Sequence, residues 1–468
     1  MTAAASQGRD RARGRAVALT TVLASSGSLA SLQQTLVIPL IPDLPEVLGV
    51  NSTSASWVVT MTLLGAAVGM PVISKIADQY GRRRVVIGAL VAMTAGSILV
   101  AASGSFAVVL IGRALQGASS ALLPVAISIL NDALSRERVG YAIALMSSTL
   151  GIGTALGPPL SGVLYEAFGF SGVFWAMAGA GIPLIVAVRL IVQESTISAA
   201  GRFDYPGAAL ATVALGAVLL AITRGGDLGW TSPLVLGLIA LGIVVFAVWV
   251  PWELRVGAPM IDLRSAAHRP VLLTNLAGLA VGFCLLINLL SVGQEVQIPR
   301  ALGGLGLSVG DAGLVIVPAG LTMLVVSPLC GWVLTRWGGR AALVLGTGLI
   351  CAAFAFRAFA PSGFAQIVVG SVVIAVGIAV SLSAMPTLIM RAVPASETSA
   401  ANGLNSVLRQ VGGALASAAI AAALATAAVS TGIGPSPDAF DAIYFISTGA
   451  AAFALAAAIA VPRTSRAR

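Results

Sequence analysis

Two arginines stand inside otherwise apolar stretches of this chain, and they are the first residues that could do chemistry. Arg113 lies in LIGRALQG (110–117) with Gln116 one turn further along. Arg409 lies in AANGLNSVLRQVGGALASAA (400–419), with Asn402 and Asn405 at helical spacing on the same side and Gly412 and Gly413 available for packing. A guanidinium in an apolar helix is costly, so each must face a partner helix or a wet cavity. The residues alone leave a structural tie between helices and a functional role equally open. Carboxylates come next, because a carboxyl partly withdrawn from water can bind and release protons. Glu295, at the outer end of an apolar run, ranks first as a proton carrier, followed by Asp311 and Asp78; a solvated residue at a helix end is the blander and commoner reading of Glu295. Ser28, Ser31, Gln33, Gln34 and Thr35 in the first run, with Arg113, Asn405 and Arg409, supply polar groups that a binding cavity would need. Enzyme chemistry has no foothold. No nucleophile stands with a base, and His268, beside Arg269, reads as a headgroup contact. Cys284, Cys330 and Cys351 are far apart, with neither disulfide nor metal-ligand spacing, and no phosphate-cradling loop is present. No metal and no bound cofactor is expected.

The elements that must position these groups are membrane helices. Hydrophobic residues make up 58% of the 468 and charged residues only 9%, far below the roughly 25% of a soluble domain. The net charge of +9 is scattered singly between apolar runs, which points to a lipid bilayer surface and away from nucleic acid. A helix needs about 20 apolar residues to cross the hydrocarbon layer, and that ruler finds fourteen runs: 17–40, 54–74, 85–103, 106–129, 140–165, 171–192, 207–223, 233–252, 271–293, 311–334, 341–359, 364–388, 400–425 and 442–461. They lack the period-two alternation of a membrane strand. The first run is too long for the core of a signal peptide and is expected to stay as span 1. With the N-terminus inside, 21 basic residues fall in cytoplasmic segments, three outside (Arg224, Arg300, Arg357) and two within spans (Arg113, Arg409). That bias satisfies the positive-inside rule and places both termini in the cytoplasm.

The loop after span 2, SKIADQYGRRR (74–84), is echoed after span 10 by GWVLTRWGGRA (331–341). Eight spans separate the two loops where two six-span halves would separate them by six, so spans 7 and 8 read as an inserted pair. The expected organisation is a basic tail (1–16), a six-helix bundle (17–192), the inserted pair with its loops (193–270), a second six-helix bundle (271–461) and a short tail (462–468). In the first loop, Gly81 allows a tight bend, Asp78 can accept from a helix start or an arginine, and Arg82, Arg83 and Arg84 suit the headgroups. Span 5 contains GIGTALGPPLSG (151–162), in which Gly153 and Gly157 share a helix face, while Pro158 and Pro159 would allow a bend.

Together these strings resemble the major facilitator superfamily. The 74–84 segment looks like its loop 2/3 signature G-x-L-a-D-r-x-G-R-[KR]-[KR], with Ser74 for the leading glycine. LIGRALQG is similar to its span 4 motif, whose arginine belongs to a charge network for conformational switching and proton movement. GIGTALGPPLSG resembles the antiporter motif G-x-x-x-G-P-x-x-G-G, with Ser161 for one glycine and Gly162 retained. With FDYPGA (203–208), VGQEVQ (292–297) and fourteen spans, the chain looks like the fourteen-span drug:proton antiporters over nearly its whole length. The resemblance implies a monomeric exporter of small amphiphilic molecules in the plasma membrane, working by alternating access on the proton gradient. It also implies a conformational switch at Asp78, Gly81, Arg82 and Arg83. One departure bears on mechanism: in that family the first span contains L-D-x-T-x-V-N, and here LQQTLVI (32–38) places Gln33 at the acid and Ile38 at the asparagine. An amide cannot exchange a proton near neutral pH. An uncoupled facilitator or importer is therefore the alternative, and a non-transporting sensor is the alternative of another class. The shortage of buried carboxylates suits a neutral or anionic substrate better than a cationic one.

Overall fold

Continuously apolar stretches broken by short polar turns leave the backbone no partner in lipid except itself, so helices are the expected outcome. The computed structural model describes all residues except 1, 38, 39, 41, 42, 51, 56, 195–202, 258, 260, 262, 301–303, 308, 360–362, 395, 396, 432–437 and 463–468. Ile38, Arg202, Arg463, Arg466 and Arg468 therefore lie outside the described residues. About 90% of the structure is helical, with no strand among the described residues. The helices of twelve or more residues are α1 (Thr2–Thr35), α2 (Trp57–Tyr80), α3 (Arg82–Ala102), α4 (Phe106–Gly117), α5 (Leu122–Ala133), α6 (Arg136–Ile191) and α7 (Tyr205–Leu228), then α8 (Pro233–Arg255), α9 (Arg269–Glu295), α10 (Val309–Val325), α11 (Ser327–Phe359), α12 (Phe364–Met390), α13 (Thr398–Thr431) and α14 (Asp438–Ala460). Eleven helical stretches among the described residues are long and apolar enough to cross a membrane. This is an all-α, multi-pass membrane protein.

The boundaries differ from the hydropathy reading for local reasons. Helix α1 begins well before residue 17, since its Ala- and Arg-rich tail consists of good helix formers. Runs 140–165 and 171–192 both fall within α6, which is two helices divided at Gly169 (φ 67°, ψ −173°); the backbone stays helical through Pro158 and Pro159. That left-handed φ is open to glycine and strained for other residues, so the break falls between the two runs. Gly338 breaks α11 in the same way (φ 82°, ψ 167°).

Two large hydrophobic clusters divide the interior. One draws on residues from Leu19 to Val192 and the other chiefly on Ala277 to Val461. Helices α7 and α8 share a small third cluster around Ala208, Ala211 and Trp249. Asp204, in the FDYPGA stretch, caps α7 by accepting from the Gly207 amide (2.9 Å) and also accepts from Trp252 Nε1 at the end of α8 (3.2 Å). Helix α7 rests on the seam between α2 and α13, with the Arg224 guanidinium 4.2 Å from the Trp57 ring centre, and α8 packs on α7.

The two echoing loops also match in backbone. Gly81 and Gly338, aligned in sequence, both have positive φ (111° and 82°). Two residues later, Arg83 donates to the Arg189 carbonyl near the end of α6 (2.5 Å), and Arg340 donates to the Ile459 and Val461 carbonyls at the end of α14 (2.7 and 2.6 Å). In both loops this arginine satisfies carbonyls that a helix end leaves open.

Candidate transport site

Small residues set the positions of the polar groups. On α4, Gly112 lies against the Gly96 carbonyl of α3, and Gly117 against the Thr62 carbonyl of α2; a Cβ at either glycine would come within 2.7 Å of that oxygen. This close approach sinks Arg113 between helices, where it is 0% exposed. Its Nε donates to the Val58 carbonyl (2.9 Å) and its Nη1 to Gln116 Oε1 (2.6 Å) and the Gln33 carbonyl (3.5 Å). Gln33 and Gln116 each donate through Nε2 to Ser97 Oγ (3.0 and 3.1 Å). Gln33 is therefore a buried member of the Arg113 network. No described carboxylate pairs with Arg113, and its Nη2 and Gln33 Oε1 are buried without partners. The network lacks the counter-charge that an acid at position 33 would supply.

The other cavity candidates are likewise placed at helix contacts. Ser31 lies against Gly153, and Thr35 donates to the Gly153 carbonyl (2.6 Å). Gln34 donates to Ser120 (2.9 Å). Ser161, where the family pattern has a glycine, donates across to the Leu36 carbonyl (2.5 Å). A Cβ on Gly157 would overlap Thr35 Oγ1, while Gly162 has open space. On the other side, Gly278 and Gly282 of α9 let α13 approach closely. Asn405 donates to Asn275 Oδ1 (3.1 Å), and half-buried Arg409 donates to Ser406 (2.9 Å). The four-residue spacing of Gly278 and Gly282 was visible in the sequence but was not singled out.

The Asp78 end of the molecule holds a polar junction between the two large clusters. Asp78 Oδ1 accepts from Arg82 Nε and Nη2 (3.2 and 3.0 Å), and Oδ2 accepts from the Ala400 amide at the start of α13 (2.8 Å). Arg82, fully buried, also pairs with Asp132 at the end of α5. Ser74, the substitute for the motif's first glycine, is accommodated by Gly403 of α13, where a Cβ would come within 2.6 Å of the serine hydroxyl. Glu194, absent from the sequence reading, accepts from the Arg83 amide (3.0 Å) and lies against Gly81. Hydrogen bonds to charged groups contribute about 1.5–3 kcal/mol each. Asp78→Asn is accordingly expected to shift the population away from the state with this end closed by about tenfold or more, read by spin-label distances between the 74–84 and 331–341 loops. Unchanged distances would remove the switch role.

The third polar group corrects two expectations. Arg357, placed outside by the charge count, is 1% exposed at the end of α11, and Glu295 is 4% exposed where the end of α9 was expected to be solvated. Arg357 Nη2 donates to Glu295 Oε2 (2.6 Å), and Tyr444 of α14 donates to the same carboxylate. Asp311 instead lies exposed in the first turn of α10.

Two helical bundles with separate cores, joined through small residues and one polar junction, define a multi-pass membrane carrier. Comparisons with known proteins agree. The Major Facilitator Superfamily model matches residues 23–417 and 298–468. The chain is 30% identical over 388 residues to the multidrug resistance protein Stp of Mycobacterium tuberculosis, covering 82% of this chain and 71% of that protein. It is 25% identical to the tetracenomycin C resistance and export protein of Streptomyces glaucescens, covering 88% and 77%. The crystal structure of the human organic anion transporter MFSD10 superposes with a TM-score of 0.65 at 16% identity, over 93% of this chain and 99% of that one. The chain belongs to the Major Facilitator Superfamily, and it is a membrane transporter and not an enzyme.

Proposed function

We propose that the chain exports small amphiphilic molecules across the plasma membrane by alternating access, in exchange for protons, with both termini in the cytoplasm. The observation that carries the mechanism is the Asp78 junction. A single carboxylate holds α2, α3 and the start of α13 together at one end of two separately cored bundles, an arrangement that can release without disturbing either core. Export is supported by the names of the relatives, among them resistance and export proteins. The proposed organisation has fourteen crossings. Helices α4 and α5 form one, α6 forms two divided at Gly169, α10 with α11 up to Gly338 forms one, the rest of α11 forms another, and the remaining helices cross once each. A cavity offering arginines and amides favours neutral or anionic amphiphiles.

A second reading, uncoupled facilitation, rests on Gln33 and the absence of a described carboxylate partner for Arg113. Flux in proteoliposomes separates the two. A panel of neutral, cationic and anionic fluorescent amphiphiles is followed with and without an imposed pH gradient. Uphill movement driven by the gradient is the expected result; downhill movement indifferent to it would establish the facilitator, and no movement of any probe would overturn transport of this class.

A further inference from the structure

The family's usual proton site is occupied by an amide, yet the chain has built a membrane-embedded carboxylate elsewhere. We infer that Glu295, held by Arg357 and Tyr444 in the C-terminal half, is the proton-binding site that couples transport. The inference deepens the export reading and rests on its proton coupling.

Three features argue for a built site. First, Glu295 and Arg357 form an ion pair with both partners buried, apart from the Asp78 junction. A buried pair is weak support for stability, since its desolvation penalty offsets its attraction, so its retention in an apolar bundle calls for another reason. Second, space has been made for it. A Cβ on Gly370 of α12 would come within 2.6–2.7 Å of the Arg357 stem, the guanidinium lies 4.2 Å from the Tyr444 ring centre, and Asn288 Oδ1 accepts from Nη1 (3.5 Å). Third, hydrogen-bonding capacity is left over: Arg357 Nε is buried without a partner. Its N–H offers a place for water to carry a proton to or from the carboxylate.

Groups around Glu295 come from α9, α11, α12 and α14. Arg357 of α11 favours the anion and Tyr444 of α14 donates to it, while Asp441, one turn before Tyr444, opposes it. Ser291 and Asn288 lie one and two turns back on α9, and Gln366 of α12 holds the Arg357 carbonyl (2.9 Å). Proton binding converts the carboxylate to an acid that no longer neutralises Arg357. The guanidinium is then free to pair elsewhere, and the joint between α9, α11 and α14 loosens. A neutral carboxyl is also cheaper to move through the low-dielectric interior than an anion. Proton occupancy is thereby tied to the packing of three helices of one bundle.

The test has two readouts on full-length protein. Infrared difference spectra between mildly acidic and mildly alkaline buffer should contain a protonated-carboxyl band that is absent from Glu295→Gln and displaced in Tyr444→Phe; no difference between wild type and Glu295→Gln would overturn the assignment. In proteoliposomes, Glu295→Gln should lose pH-driven accumulation of the best-moved amphiphile and keep its exchange between the two sides. Glu295→Asp should restore part of the coupling. If wild type is coupled and Glu295→Gln is equally coupled, the assignment fails while the export reading stands. If wild type is uncoupled, the proton-coupled reading fails first. Because Glu295→Gln leaves Arg357 unpaired, the Glu295→Gln, Arg357→Gln double variant is measured beside it: exchange without coupling in the double variant supports the assignment, and pH-driven accumulation in it overturns the assignment.

Discussion

Arg357→Met is expected to be among the most destabilising single substitutions in this protein. The residue is buried at the end of α11 and bonded to Glu295, Tyr444 and Asn288. Removing one partner of a buried ion pair leaves the other charged and unsolvated, at a cost of about 3–5 kcal/mol. Removing both partners is different, since an apolar or neutral replacement of similar volume is often tolerated. The Glu295→Gln, Arg357→Met double variant should therefore recover most of the thermal stability lost in Arg357→Met. Thermal unfolding in detergent provides the comparison. If Arg357→Met unfolds at the wild-type temperature, Glu295 is not held as a buried anion.

The second large effect is steric and is confined to one motif. A Cβ at Gly153 would come within 2.6 Å of Ser31 Cβ and 2.7 Å of the Ser31 carbonyl group. Backbone atoms of α1 cannot turn aside, so Gly153→Leu must push the two helices apart. Overpacking of this kind costs about 1–3 kcal/mol, sometimes more, and transport should fall by about tenfold or more if the cost falls on one conformational state. Gly162 belongs to the same string, but nothing lies within 4 Å of the position its Cβ would take, and Gly162→Ala should transport normally. Equal activity in the two variants would show that close approach of α1 and α6 is not needed.

Much of this was legible in the sequence because the signals were local or compositional. Apolar runs of membrane length required helices, and the Asp78, Gly81 and Arg82 pattern foretold a bend with a carboxylate beside a guanidinium. The Gly153 and Gly157 spacing foretold a helix contact. What could not be read was which distant residue would meet which. Arg357 looked like an outer-loop cation because run limits place a residue along the chain, not among neighbours, and Glu295 lies 62 positions away. An amide in an apolar run suits a ligand or a partner equally well, and nothing local names Ser97 as the residue that Gln33 meets. The division of α6 was legible as the gap between runs 140–165 and 171–192, and Gly169 in that gap has the backbone outside the helical region.

The surface on which the two bundles meet has a mechanical consequence. Where α6 faces α10, Gly151 lies against Met323 and the Gly320 carbonyl, and Gly320 lies against the Ala155 backbone. Interlocking side chains resist displacement because every knob must leave its hole before it can find another. Here main chain faces main chain with little relief on either side, so the contact resembles a plain bearing more than a pair of meshed gears. Under the proposed alternating access such a face would offer little to hold either arrangement, and the choice of which way the molecule opens would fall to the rims, where individual charges can be made or broken.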